Sequence, residues 1–237
     1  MSIRVSAAMA VYNGNTYLQE QVASILSQLG PNDELVISLD PSSDQSEQLI
    51  RQFSQTDRRI VFVQGPGQGV VRNFENALQS ARGEYIFLSD QDDVWAQDKL
   101  SCCLEALQKE GVTAVIHDAY VTDASLRVQK ASVTGGFFHA GAFRSIVRNR
   151  YMGCCMAFKR ELLSTVLPFP ANLPMHDQWI GILAARLGTV AYIDKPLIYY
   201  RRHGGTATGR EKAGLLQKLI WRLSITGAYL KRRNRHV

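Results

Sequence analysis

"RIVFVQGPGQGVVRNFENALQSARGEYIFLSDQDDVW" runs from Arg59 to Trp95. It opens on a short apolar run, turns through glycines, and continues with Val70, Phe74, Ala77 and Leu78 at helical spacing. A second apolar run, "EYIFLSD", ends where Asp90, Asp92 and Asp93 crowd together. Strand, helix and strand in that span make a βαβ unit, which needs a parallel sheet. Upstream the pattern repeats. "IRVSAAMAV" reads as a strand, and Leu18, Val22, Ile25 and Leu29 then share a helical face, with Thr16 and Gln19 at capping-box spacing. "ELVISLD" is a buried strand, followed by a helix carrying Leu49, Ile50 and Phe53. The expected class is α/β, a Rossmann-like, mostly parallel sheet flanked by helices, with ligands bound past the carboxyl ends of its strands. No internal repeat or low-complexity tract interrupts it.

Three carboxylates within four positions repel one another and call for a cation; hard oxygen ligands suit Mg²⁺ or Mn²⁺. Asp40 stands likewise at the end of "ELVISLD". Plainer readings exist: Asp92 and Asp93 as caps before "QDKLSCCLEAL", and Asp40 as an Asx-turn before Pro41.

At 237 residues, with 46% hydrophobic and 20% charged content, the chain has the composition of a globular protein with a sizeable core. No apolar run reaches bilayer-spanning length, and the N-terminus lacks a basic-then-apolar leader, so the expected location is cytoplasmic. Cysteines occur as Cys102-Cys103 and Cys154-Cys155, a spacing of neither zinc sites nor disulfide frameworks; reduced thiols are expected. The net charge of +6 gathers after Arg210, where Glu211 is the only acid. There Leu215, Leu216, Leu219, Ile220, Leu223 and Ile225 fall near one helical face among bases. A basic amphipathic C-terminal helix of this kind suits an anionic membrane surface or packs on its own domain, and both readings stand.

"MAVYNGNTYLQEQVASILSQ", "ELVISLDPSSDQS", "GPGQGVVRNFENAL", "FLSDQDDVWAQDKL", "YMGCCMAFKREL", "MHDQWIGILAARLG" and "IYYRRHGGTATG" together resemble bacterial family 2 glycosyltransferases, inverting enzymes on the GT-A fold, close to those called rhamnosyltransferases. The resemblance implies a GT-A domain over residues 1–209 and a basic tail over 210–237. It implies a nucleotide-binding turn at Val11, Tyr12 and Asn13, with Asp40 and Arg72 toward base or phosphate. Asp90, Gln91 and Asp92 match the Asp-x-Asp motif. Asp92 would hold Mn²⁺ or Mg²⁺, Asp90 would face ribose or the metal's waters, and Asp93 would lie beside the donor sugar. Gly153 falls in a loop facing that sugar, with Cys154 as a wall. Asp177 is the implied general base with His176 to orient it, Trp179 is an acceptor floor or core, Arg202 a phosphate clamp, and His203 a ligand of metal or diphosphate. Leu39 and Pro41 depart from the family's "DDGS", which removes one acid and the glycine.

The implied activity is metal-dependent, inverting transfer from a nucleoside-diphosphate sugar to a glycan acceptor. A lipid-linked intermediate of a surface polysaccharide such as O-antigen, met at the inner face of the cytoplasmic membrane, is the expected acceptor; nucleic acid is not an expected partner. Two other classes compete. A sugar-phosphate nucleotidyltransferase would want a basic glycine-rich loop after the first strand, where "VYNGNTY" has no Lys or Arg. A non-catalytic glycan- or membrane-binding relative fits the loss at Leu39.

Overall fold

A computed structural model describes residues 4–136, 138, 145–146, 149–204 and 214–233. Strands β1 (Val5–Val11), β2 (Glu34–Leu39), β3 (Ile60–Gln64) and β4 (Tyr85–Ser89) pair in parallel in the order β3-β2-β1-β4. Helices α1 (Leu18–Leu26), α2 (Ser46–Thr56) and α3 (Val70–Ser80) make the crossovers. Every residue of β1, β2 and β4 is buried. Helices cover both faces of a parallel sheet, so these strands are buried along their whole length and mostly apolar, with no inside-outside alternation.

The remainder comprises β5 (Val94–Trp95), α4 (Lys99–Leu107), β6 (Val112–Thr122), β7 (Val128–Lys130), a 3₁₀ turn at Gly153–Cys155, β8 (Met156–Lys159), α5 (Leu163–Val166), α6 (His176–Leu187), β9 (Thr189–Arg201) and α7 (Leu215–Arg233). The sheet extends β4-β8-β6-β9-β5, with β7 on β6. Here it mixes directions: β8 runs antiparallel to β4 and β6, β9 lies parallel to β6, and β5 is antiparallel to β9. One core cluster includes Leu18, Val22, Ile25, Leu35, Ile37 and Phe87; a second includes Phe74, Leu78, Ile86, Phe158, Trp179 and Ile225.

Some local expectations change. The Thr16–Gln19 box does not form: α1 starts at Leu18 without a side-chain cap, because the amides of Tyr17 and Leu18 both donate to the Gly14 carbonyl. Val70 is 53% exposed and Val71 packs against the core instead. The C-terminal residues expected on one face divide. Ile225, Ala228 and Tyr229 pack into the second core, and Arg232 donates to the Thr165 and Leu167 carbonyls at 2.9 and 2.8 Å. Leu216, Leu219, Ile220 and Leu223 form a separate exposed stripe, a half-turn around. The boundary placed at residues 209–210 lies outside the described residues.

Candidate active site

The chain order reverses between β1 and β4, which makes their carboxyl ends a topological switch point and the expected ligand crevice. Gln91 bridges the two. Its Oε1 accepts the Tyr12 amide at 2.8 Å, and its Nε2 donates to the Tyr12 carbonyl at 3.0 Å. The acidic turn is thereby fixed to the turn after β1, and the Tyr12 ring stands 59% exposed at the crevice lip. Asn13 takes φ 47°, and its Oδ1 accepts the Ser43 amide. The amides of Asn13, Gly14 and Asn15 donate to side chains of Ser42, Ser46 and Asp44. Val11 faces inward, its carbonyl taken by the Asp40 amide and by Asn73 Nδ2.

Asp40 does not point at the crevice. It is 4% exposed, and its oxygens accept the Gly67 and Gly69 amides at 2.9 and 3.2 Å. The glycine-rich segment is a tight turn closed by that carboxylate; a Cβ at Gly65 would stand 2.5 Å from Asp40 Oδ1. Arg72 is also engaged elsewhere. It pairs with Glu75 and donates to the Phe169 and Pro170 carbonyls, away from the acids. Each is thus engaged in structural bonds, which a base or phosphate contact would have to share.

The acidic cluster gathers the other expected residues. Asp92 Oδ2 lies 2.9 Å from His203 Nε2, across the sheet from β4 to the end of β9, and Tyr17 covers the imidazole at 4.6 Å. Both members of the pair are about one-sixth exposed, 17% and 16%. Asp93 is buried. Its Oδ1 accepts the Arg201 amide at 2.9 Å, and its Oδ2 has no partner among the described residues. Burial, then Asp92 and Asp177 nearby, pushes Asp90 up to about 7, while Lys99 and the Cys154 thiol pull it down. Burial beside Asp90 and Asp92 raises Asp93 well above the usual carboxylate range.

The second half supplies the opposite wall. Asp177 lies in the first turn of α6, where Oδ1 accepts the Gln178 amide at 2.6 Å and Asn149 Nδ2 at 3.3 Å. Burial pushes its carboxyl up to about 6 despite those bonds. His176 stacks on Phe74 at 4.0 Å, and burial lowers it to about 3, so the imidazole is neutral. Gly153 is where it is because a Cβ there would come within 3.1 Å of His176 Nε2. Trp179 is fully buried with Nε1 donating to the Val166 carbonyl, which makes it core and not an acceptor floor. Arg202 is exposed beside His203.

Two buried cations join the site unannounced by the motifs. Arg201 is 3% exposed; it donates to the Asp92 and Ala124 carbonyls at 2.8 and 2.6 Å, pairs with Glu20, and lies over Tyr17 at 4.4 Å. Lys99, fully buried, donates to the Cys154 carbonyl at 2.6 Å and sits 4.5 Å over Trp95. The signal for Lys99 was its helical spacing from Cys103 and Leu107, which are also buried.

The Glycosyl transferase family 2 model matches residues 6–167. A putative teichuronic acid biosynthesis glycosyltransferase of Bacillus subtilis, TuaG, is 31% identical over 206 residues, 83% of this chain and 78% of its own length. Among solved structures, TarS of S. aureus in complex with UDP-GlcNAc aligns with TM-score 0.73 at 18% identity, over 89% of this chain and 62% of that one. A mannosyltransferase from Pyrobaculum calidifontis in complex with GDP-Man and Mn²⁺ aligns with TM-score 0.63 at 19% identity, over 98% and 71%. The chain spans 66% of the length of a further relative, an uncharacterised glycosyltransferase of Nostoc that is 30% identical over 85% of this chain. With the family model covering more than half of the sequence and the sheet taking the GT-A form of these neighbours, the chain belongs to glycosyl transferase family 2.

Proposed function

We propose that the protein is an inverting glycosyltransferase that moves a sugar from a nucleoside diphosphate to a glycan hydroxyl with a divalent ion. The observation that carries this is the convergence around Asp90, at one switch point, of the mostly buried Asp92–His203 pair and the buried Asp177. The donor set fits a hard ion. Asp92 offers a carboxylate oxygen 2.9 Å from the His203 ring nitrogen, and Asp90 lies near enough for its charge to act on Asp92. Bound there, Mn²⁺ or Mg²⁺ would neutralise charge on the departing diphosphate. The exposed Tyr12 ring would floor a nucleobase, and Gln91 keeps the two turns at fixed separation. Asp177 removes the acceptor proton, a role worth about 10²–10⁴-fold. The Asn149 and Gln178 bonds aim its carboxylate, and the neutral His176 beside it adds no charge that would stabilise its ionised form.

A nucleotidyltransferase would cradle triphosphate on free amides after β1. Here those amides are occupied by Ser42, Ser46 and Asp44. We place the acceptor on a lipid carrier, because α7 presents Leu216, Leu219, Ile220 and Leu223 to solvent with Lys218 and Arg222 alongside. TuaG's role in teichuronic acid biosynthesis points the same way, toward a surface polysaccharide. The test is a panel of sugar nucleotides monitored by thermal shift. A donor that stabilises the protein with Mn²⁺ and not in EDTA supports the reading; no donor doing so with either ion removes it.

A further inference from the structure

Helix α1 packs on the first core with Leu18, Val22 and Ile25, yet Gln21 among them is wholly buried. A primary amide in that place is costly unless its polar atoms are bonded. Both N–H groups of Gln21 are directed at the start of the acidic turn. Nε2 donates to Ser89 Oγ at 2.7 Å and to the Asp90 carbonyl at 2.7 Å. Oε1 lies 3.0 Å from the Ser24 hydroxyl oxygen, which in turn accepts the Trp95 amide at 3.0 Å. Gln28, just past the end of α1, acts on the far side of the acids. It donates to the Ala96 carbonyl at 2.9 Å and accepts the Leu100 amide at 3.0 Å. Positions 21, 24 and 28 are three and four apart, neighbours on one helical face, so a single polar stripe grips the chain on both sides of residues 90–93.

The bonds from this stripe to the turn go to main-chain groups and to the Ser89 hydroxyl. Arg201 adds a donor to the Asp92 carbonyl from the end of β9. The main chain is thereby held while carboxylate oxygens stay available to a ligand. A ligand set fixed in advance binds an ion with no ordering cost, and removing the outer groups that fix it lowers affinity by about 10–100-fold.

We propose that Gln21 is a positioning residue for the divalent ion: with Ser24 and Gln28 it holds the acidic turn in its ion-binding form before the ion arrives. This deepens the sugar-transfer reading and rests on its assignment of the ion to Asp92 and His203.

The experiment measures Mn²⁺ binding to metal-free full-length protein, without donor, from the electron paramagnetic resonance signal of the free ion. Gln21→Met keeps length and helix preference and removes both donors; it should bind Mn²⁺ about tenfold or more weakly. Ser6→Ala is the control. It removes buried bonds of the same kind, to Glu34 at 2.6 Å and from the Gly83 amide at 2.7 Å, at the amino end of β1. That variant should melt at a lower temperature and keep wild-type Mn²⁺ affinity, which separates positioning from lost stability. Hydrogen exchange gives an ion-free readout: the amides of Trp95 and Leu100 should exchange slowly in wild-type protein with no metal present. Wild-type affinity in Gln21→Met, an equal loss in Ser6→Ala, or fast exchange of those amides without metal overturns the proposal and leaves the ion assignment standing. Wild-type protein that binds no Mn²⁺ overturns both. Should Gln21→Met fail to fold, Gln28→Met decides the matter: weakened Mn²⁺ binding supports the proposal and unchanged binding overturns it.

Discussion

Asp177→Asn should separate stability from turnover. The folded protein holds this carboxyl at about 6 against an ordinary 3.8, with burial as the cause, so ionising it opposes folding. A group raised in the folded state favours that state below its unfolded pKa, and the benefit disappears as pH climbs through the folded value. The penalty is therefore absent below about pH 4 and complete above about pH 6, the difference amounting to about 3 kcal/mol. Asn keeps the acceptor oxygen for Gln178 and cannot ionise. At pH 7.5 the variant should gain up to about 3 kcal/mol, or roughly 6–12 °C in Tm for a domain of this size. At pH 4 the two proteins should melt together. The assay is thermal unfolding of EDTA-treated proteins across that range, paired with kcat, which should fall by about 10²-fold or more as the proton acceptor is lost. Wild-type activity should itself rise through about pH 6. A variant no more stable than wild type at pH 7.5, or one that turns over normally, refutes the reasoning.

Arg201→Met keeps length and removes the donors to the Asp92 and Ala124 carbonyls. The ion pair contributes little because Glu20 is 58% exposed, so the loss is about 1–3 kcal/mol from unpaired carbonyls, seen as a lower urea midpoint. Gly181→Ala would set a Cβ 2.4 Å from the Tyr151 ring, inside the core beneath the Gly153 turn; about 1–3 kcal/mol of destabilisation should appear in thermal melts. Leu219→Gln with Leu223→Gln should release the protein from anionic vesicles in a flotation assay and leave Tm unchanged, since Ile225, Ala228 and Tyr229 hold the helix in place. Equal flotation of the double variant would make the stripe irrelevant to lipid.

The first four strands were legible because continuous apolar runs and helical spacing are local signals, and burial on both faces leaves no other reading of them. The second half was not. β9 joins β6 as a neighbour across an intervening helix and many residues, and β5 is only Val94–Trp95, recruited by β9 right after the acidic turn. Such pairings depend on tertiary packing that no window of sequence contains. Within the candidate site, Asp90, Gln91, Asp92, Asp93, Asp177 and His203 are singled out through the family resemblance of their motifs, and the structure brings Asp92 to His203 and Asp90 near Asp177. Asp40 and Arg72 show the limit: a carboxylate at a strand end serves a glycine turn as readily as a ligand, and Arg72's partners at Phe169 and Pro170 are distant in the chain. Arg201 and Lys99 escaped for the reverse reason, being cations in positions where solvent would ordinarily be expected.

The most direct measurement is release of free nucleoside diphosphate from sugar nucleotides by the purified protein, with Mn²⁺, with EDTA, and with Asp92→Asn. Release from at least one donor with Mn²⁺, lost in EDTA and reduced by about 10²-fold or more in Asp92→Asn, is the predicted result. Release that continues unchanged in EDTA, or is insensitive to Asp92→Asn, would contradict a site in which Asp92 and His203 hold the ion that neutralises the leaving diphosphate.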